Sequence, residues 1–223
     1  MNISRIRTTD SGEGEYTDLF EAIAQNIAQK GYSIHHNAMH PALAESLLLN
    51  VQNMEETQFK AAGVGRENKY TVNSFVRTDE VCWIMGETDV EQDWLEWAGT
   101  LQRFLNRRLF LGLFSFESHF AHYAPGNFYK KHKDAFKGEA NRVLSLIVYL
   151  NPSWQPEDGG ELLIHTDLTT QPEIKVTPGF GTVVLFLSEE FPHEVLRTNR
   201  DRYSIAGWFR VNSSCTERVD PAL

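Results

Sequence analysis

Val143-Leu144-Ser145-Leu146-Ile147-Val148-Tyr149-Leu150 is a nearly continuous apolar run, closed by the turn pair Asn151-Pro152, and it reads as the central strand of a sheet. Downstream, the segments 161–165, 173–176, 181–187, 194–197 and 203–211 are short strand candidates. Turn chemistry separates them at Asp158-Gly-Gly, Pro178-Gly and Asn199-Arg-Asp. Upstream, Phe114 to Tyr123 alternates apolar and polar residues, the period of a half-buried strand. Before Leu109 the period changes. Leu19, Phe20, Ile23, Ile27 and Ala28 mark a helix from Tyr16 to Lys30, with Gly31 as its C-cap and a short strand from Tyr32. Leu43, Leu47, Leu48 and Val51 mark a second helix from Pro41 to Met54, and Trp94, Trp97, Leu101, Phe104 and Leu105 a third from Val90 to Asn106. Helices first and many short strands afterwards predict an α+β, mainly β protein: helices packed on one sheet of a two-sheet barrel or jelly roll. The expected layout is a polar leader over 1–16, one domain over 17–211 with helical support to residue 110 and the β core from 111, and a tail over 212–223.

The chemistry is concentrated in that β region. His132-Lys133-Asp134 places an imidazole and a carboxylate on the same side of a strand or strand end, and His193 follows from a later strand. Two imidazoles and one carboxylate form the facial triad that holds non-haem Fe(II) with coordination positions left open. Arg202, just beyond, is placed to clamp the far carboxylate of a bound 2-oxo acid by a bidentate pair. A hairpin turning over 198–201 would put His193 and Arg202 on one face of one ribbon, about 13 Å apart at the rise of a strand.

The totals set outer limits. The chain has 223 residues, enough to bury a core without staples, and a hydrophobic fraction of 41%. With 30 acidic against 21 basic residues the net charge is −9, which disfavours a nucleic-acid partner. Cys82 and Cys215 stand alone, outside any C-x-x-C pattern, and are expected to be reduced thiols. No stretch reads as a signal peptide or a membrane span, so the expected location is cytoplasmic, without a membrane partner. His35, His36 and His40, beside a helix start, read as surface or capping residues, while Phe114, Phe116, Phe120 and Trp154 read as core. Oligomeric state stays open.

From Tyr123 to Arg210 the chain resembles the double-stranded β-helix core of Fe(II)- and 2-oxoglutarate-dependent oxygenases, in particular the prolyl 4-hydroxylase family and its hypoxia-sensing and bacterial branches. The matching text is Tyr123-Ala-Pro-Gly-Asn-Phe-Tyr-Lys-Lys-His-Lys-Asp134, Arg142 to Asn151, Gly159-Gly-Glu-Leu, Pro192-His-Glu-Val and Arg202-Tyr-Ser-Ile-Ala-Gly-Trp208. Upstream, Arg77-Thr-Asp-Glu-Val-Cys-Trp83-Ile looks like the segment bordering the substrate in that group. The resemblance implies that His132, Asp134 and His193 bind iron and that Arg202 and Tyr149 meet the distal carboxylate of 2-oxoglutarate. It also implies that Tyr123 and Tyr129 line the mouth, that Trp208 packs beside the iron, and that Arg77, Asp79, Trp83 and Arg142 hold a loop over the substrate. The cofactor set would be Fe(II), 2-oxoglutarate and O2, with ascorbate as reductant. The partner would be a proline-containing protein or peptide, a translation-apparatus protein being one class, hydroxylated at C4 with release of succinate and CO2. Two departures stand out: the spacing between Tyr123 and Tyr129 differs from the pattern, and Ala206 replaces a hydroxyl-bearing residue near the cosubstrate. The triad alone would serve a small molecule or another side chain equally well, and a non-catalytic cupin-like sensing module is the alternative of a different class.

Overall fold

Helix α1 (Ser11–Lys30) buries Phe20, Ile23, Ala24 and Ile27, a single stripe at helical spacing, whereas Ala28 is exposed. It starts at Ser11, so the polar residues before Tyr16 are not all leader. Gly31 ends it with φ +75°, a left-handed conformation, and its N–H donates to the Ile27 carbonyl at 2.9 Å. A side chain there would also strike Phe191. β1 (Tyr32–His35) follows, then α2 (Pro41–Gln52) with proline in its first turn and His40 as its cap, accepting from the Ala42 N–H at 3.3 Å. α3 (Asp89–Leu109) is capped by Thr88, carries Asp89 and Glu91 at its start and Arg107 and Arg108 at its end, and buries Trp94, Trp97, Ala98, Leu101 and Leu105. These coordinates come from a computed structural model that describes residues 11–62, 75–135, 141–167 and 172–212. Residues 1–10, 63–74 of the loop 56–80, 136–140 of the loop 135–142, 168–171 and the tail from 213 with Cys215 lie outside the described residues. No helix among the described residues is long and apolar enough to cross a membrane.

The remaining strands are β2 (Lys60–Ala61), β3 (Glu80–Trp83), β4 (Leu113–Tyr123), β5 (Tyr129–His132), β6 (Arg142–Tyr149), β7 (Leu162–His165), β8 (Glu173–Val176), β9 (Val183–Leu187), β10 (His193–Val195) and β11 (Arg202–Val211). They form a seven-stranded sheet in the order β1-β9-β6-β11-β4-β3-β2 and a four-stranded sheet in the order β5-β10-β7-β8, with every pairing antiparallel. β6 lies between β9 and β11, and Leu144, Leu146, Val148, Tyr149 and Leu150 have no exposed surface. The apolar run is therefore a strand covered on both faces. One face of the large sheet packs on the helices through Leu144, Leu146, Val148, Phe120, Ile205 and Phe209. The other, through Ala121, Tyr123, Tyr149, Val184 and Phe186, meets Leu162, Ile164, Ile174 and Val176 of the small sheet. This is the double-stranded β-helix with helices on one sheet.

Two expectations are corrected. The strands carrying His193 and Arg202 are not a hairpin: β10 belongs to the small sheet and β11 to the large one. The backbone of 197–199 is committed elsewhere. Arg197 O accepts from Gly160 N–H (2.9 Å), Asn199 N–H donates to Asp158 O (2.8 Å), and Thr198 exchanges bonds with Gly126 and Asn127. With its ladder groups so engaged, the segment crosses between sheets instead of folding back. The second correction is Phe114, which is 43% exposed while Ser115 is buried. β4 and β11 slip register beside it, between Arg210 and Val211, and the slip offsets the apolar alternation that placed Phe114 in the core.

Candidate active site

His132 closes β5, and β10 pairs with β5 so that His193 lies directly opposite it, ring centroids 4.2 Å apart. Asp134 lies just past the end of β5. Its Oδ1 is 3.7 Å from His132 Nε2 and its Oδ2 is 3.6 Å from His193 Nε2, and one ligand atom from each of the three residues falls within 4.8 Å of the others. Such donors are too far apart for hydrogen bonds with one another and close enough to share one ion. Both imidazoles are oriented from behind: Nδ1 of His132 contacts the Lys130 carbonyl at 2.8 Å, and Nδ1 of His193 the Phe191 carbonyl at 3.0 Å. A carbonyl only accepts, so each Nδ1 carries the proton and each Nε2 offers its lone pair.

The electrostatics match a site for a divalent cation. Burial, with His193 adding to it, pushes the His132 pKa down to about 3, so the ring is neutral, the form a metal can bind. Burial alone would raise Asp134. His193, His132, a bond from Ser145 and the nearby Trp208 indole outweigh it and bring the carboxyl to about 2. Ser145 Oγ donates to Asp134 Oδ2 at 2.6 Å and contacts Ser188 Oγ at 2.9 Å. The Trp208 N–H is buried near this carboxylate, yet has no partner at hydrogen-bond geometry among the described residues. Tyr129 lies flat on His132, 3.5 Å between centroids and 14° between planes.

Arg202, on the large sheet, is 2% exposed. Its Nε donates to the Gly160 carbonyl at 2.9 Å and its Nη1 to Ser204 Oγ at 3.3 Å, while its guanidinium lies 4.8 Å from the Tyr123 ring and 5.0 Å from that of Tyr149. Gly160, at φ +67°, makes this approach possible, because a Cβ there would press on Arg202 Cδ at 3.0 Å. Among the described residues no carboxylate pairs with this buried cation. The Tyr149 hydroxyl beside it is buried with no partner at hydrogen-bond geometry among the described residues, and burial pushes its pKa up to about 12, so it remains a donor. An unmatched buried guanidinium and an unmatched phenol call for an anionic, bidentate ligand. The distal carboxylate of a 2-oxo diacid fits both, and the triad offers the metal for its other end.

Arg77, Asp79, Trp83 and Arg142, which the resemblance assigned to the substrate, lie around this centre. Arg77 pairs with the buried Asp79 through Nε (2.7 Å) and Nη2 (2.5 Å), so this is no surface ion pair, and its guanidinium sits 4.2 Å from the Tyr129 ring centre. Trp83 is 48% exposed and touches Trp208 (6.4 Å) and His119 (5.2 Å). Arg142 lies 3.6 Å from the Trp208 ring centre and is bound to Glu117 at 2.6 and 2.8 Å. Ser145, Ser188, Ser204, Glu117 and His119 were not singled out from the sequence. Ser145 left one signal there: a hydroxyl within an apolar run, two residues before Ile147 and four before Tyr149, hence on their face of the strand. Ser204 also supplies a hydroxyl at Arg202, two residues before the alanine whose missing oxygen the sequence pattern made conspicuous.

A two-sheet β-helix with a His-Asp-His cluster between its sheets and a buried arginine across from it defines a non-haem iron oxygenase that takes a 2-oxo acid cosubstrate. Residues 118–210 match the family model described as the 2OG-Fe(II) oxygenase superfamily. A prolyl-4-hydroxylase of Pseudomonas putida aligns with 34% identity and a TM-score of 0.78, over 87% of this chain and all of that one. A Trichoplax adhaerens prolyl hydroxylase, solved with a hypoxia-inducible-factor oxygen degradation domain peptide, shares the fold at 23% identity and TM-score 0.79, over 92% and 94% of the two chains. A viral collagen prolyl hydroxylase of Paramecium bursaria Chlorella virus-1, solved with 2OG, does so at 19% identity and TM-score 0.58, over 82% and 98%. The chain belongs to the 2OG-Fe(II) oxygenase superfamily, on the side of the prolyl 4-hydroxylases, and membership implies Fe(II), 2-oxoglutarate and O2.

Proposed function

We propose that the protein hydroxylates a prolyl residue of a protein or peptide at C4. The observation that carries this reading is the correspondence at 34% identity, over 87% of this chain, with a bacterial prolyl-4-hydroxylase. In this reading His132, Asp134 and His193 hold Fe(II), and Arg202 with Tyr149 and Ser204 receives the distal carboxylate of 2-oxoglutarate. When bound, the metal and cosubstrate supply the oxidation, in which one atom of O2 enters a C–H bond and the other accompanies oxidative decarboxylation to succinate and CO2.

The chain's own residues orient and enclose. The Lys130 and Phe191 carbonyls fix the two imidazole tautomers, and Tyr129 braces His132 from its face. The Trp208 and Trp83 rings and the His119 imidazole form an aromatic wall that grades from buried to exposed, a surface on which an apolar five-membered ring can rest. Arg142, held by Glu117, and Arg77, held by Asp79, border that wall with fixed guanidinium groups suited to peptide carbonyls. Ascorbate serves as reductant for iron, and the protein acts in the cytoplasm on a proline-containing protein, one of the translation apparatus being a fitting class.

The test is incubation of the iron-loaded protein with 2-oxoglutarate, ascorbate and a proline-containing peptide library, with trans-4-hydroxyproline read by amino-acid analysis. Succinate release that is stimulated by peptides and matched by hydroxyproline supports the reading. Stimulated succinate release with oxygen placed on another residue would overturn the prolyl assignment and leave the oxygenase class intact.

A further inference from the structure

The two triad histidines and the cosubstrate clamp stand on different sheets. His132 and His193 lie on β5 and β10 of the small sheet, whereas Arg202 and Ser204 lie on β11 and Tyr149 on β6 of the large one. A 2-oxo diacid held at both ends therefore bridges the two sheets, and its fit depends on how the sheets are spaced. Asp134 follows the end of β5, so no sheet ladder fixes it. Its carboxylate is tied across the gap by Ser145 of β6, Oγ to Oδ2, at 2.6 Å.

We propose that Ser145 is a positioning residue whose hydroxyl locks the Asp134 carboxylate to the sheet that carries Arg202, and so sets the span between the metal end and the arginine end of the cosubstrate site. The inference rests on the oxygenase reading and goes beyond it. Ser145 has a single proton. With that proton on Asp134, the 2.9 Å contact with Ser188 has Ser188 as donor, which gives a one-way chain from Ser188 through Ser145 to Oδ2. Ser145 is 1% exposed and Ser188 has no exposure, so water does not compete for these bonds. With Oδ2 engaged, Oδ1 is the oxygen left with both lone pairs for the metal. Ser145 and Tyr149 share one face of β6, about 13 Å apart at the rise of a strand. In the adjacent strand their register partners are Trp208 and Ser204. One strand thus carries both the tie to the metal ligand and the phenol of the clamp, a fixed ruler for the length of the diacid.

The experiment compares wild type, Ser145→Ala, Ser145→Thr and Ser188→Ala, each checked for folding by circular dichroism. Anaerobic Fe(II) titration gives metal affinity. The visible charge-transfer band of the chelated 2-oxo acid then gives the relative affinities for 2-oxoglutarate and for 2-oxoadipate, one methylene longer. Ser145→Ala should bind Fe(II) 10- to 100-fold more weakly, the usual effect of losing a partner behind a metal ligand. It should also narrow the preference for 2-oxoglutarate over 2-oxoadipate. Ser145→Thr, which keeps the hydroxyl, should restore both, and Ser188→Ala should shift both in the same direction by less. A merely structural serine would lower the melting temperature and leave the diacid ratio where it was, and that result overturns the proposal. So does wild-type metal affinity in folded Ser145→Ala or, should that variant not fold, in Ser188→Ala. Absence of the band in wild type overturns the oxygenase reading as well, which separates the two failures.

Discussion

Tyr129 covers the face of His132 at 3.5 Å, with 14° between the planes, and the Arg77 guanidinium lies 4.2 Å from the centre of the same Tyr129 ring. A candidate metal ligand is thereby connected through one aromatic ring to the Arg77–Asp79 pair. Stacking of this kind contributes about 0.5–1.5 kcal/mol. Tyr129→Ala is expected to weaken Fe(II) binding by roughly two- to tenfold, and Tyr129→Phe, which keeps the ring, to leave it within about twofold. Anaerobic titration checks both. Equal weakening in the two variants would assign the effect to the hydroxyl and remove the stack from the account.

Arg202 has 2% of its surface exposed and no carboxylate partner among the described residues, so the cation is buried before the cosubstrate arrives. Arg202→Met, of similar size and without charge, is expected to raise the KM for 2-oxoglutarate at least about 30-fold, from a buried charge pair of roughly 2 kcal/mol or more. Fe(II) affinity should stay unchanged. The variant without cosubstrate should melt no lower than wild type, because an unmatched buried charge has been removed. Added 2-oxoglutarate should raise the melting temperature of wild type and not of the variant. Thermal melts with and without the diacid measure both effects.

Much of this site was legible as pattern. His132 and Asp134 were marked by their two-residue spacing at a strand end, though only His132 lies in the ladder, and Arg202 by the demand of a 2-oxo acid for a fixed cation. The pairing of His193 with His132 was not legible, because it depends on which sheet receives β10. The hairpin expected over 198–201 used the local turn residues Asn199-Arg-Asp, but the backbone there is bound to 126–127 and 158–160, far away in sequence. Phe114 misled for the same reason: a register slip between β4 and β11 is a tertiary event, and the alternation along one strand cannot announce it. Ser145 was visible as a lone hydroxyl in an apolar strand, yet its meaning appeared only when Asp134 was seen facing it across the sheets.

Asp79 is 1% exposed and holds Arg77 by two bonds, at 2.7 and 2.5 Å. Removing the carboxylate takes two charge-assisted bonds from a largely buried guanidinium, and losing one partner of a buried pair costs about 3–5 kcal/mol in comparable cases. Asp79→Ala should therefore lower the denaturant midpoint strongly. Arg77→Met with Asp79→Leu together should recover a large part of the loss, since both charges are then gone. Chemical denaturation of the three chains decides it: a double variant as unstable as Asp79→Ala would show that the residues matter through packing instead of charge.

His119 is buried beside Trp83 and Trp208, and burial, with the Arg77 charge adding to it, pushes its pKa down to about 4 from an ordinary 6.5. The unfolded chain takes up a proton on this ring near pH 6.5, and the folded chain does so only near pH 4. Between those values the unfolded state binds more protons, so stability falls as the pH is lowered through that window and is fully present above it. One such group contributes a slope of up to about 1.4 kcal/mol per pH unit. The metal-free His119→Gln variant should show a shallower loss of stability from pH 6.5 to pH 4 than metal-free wild type, and the same slope above pH 7. His132, whose pKa is also depressed, remains in both proteins and cancels from the comparison. Urea midpoints across the window provide the measurement. Parallel curves for the two proteins would mean that the His119 ring titrates normally and that the wall around it admits water.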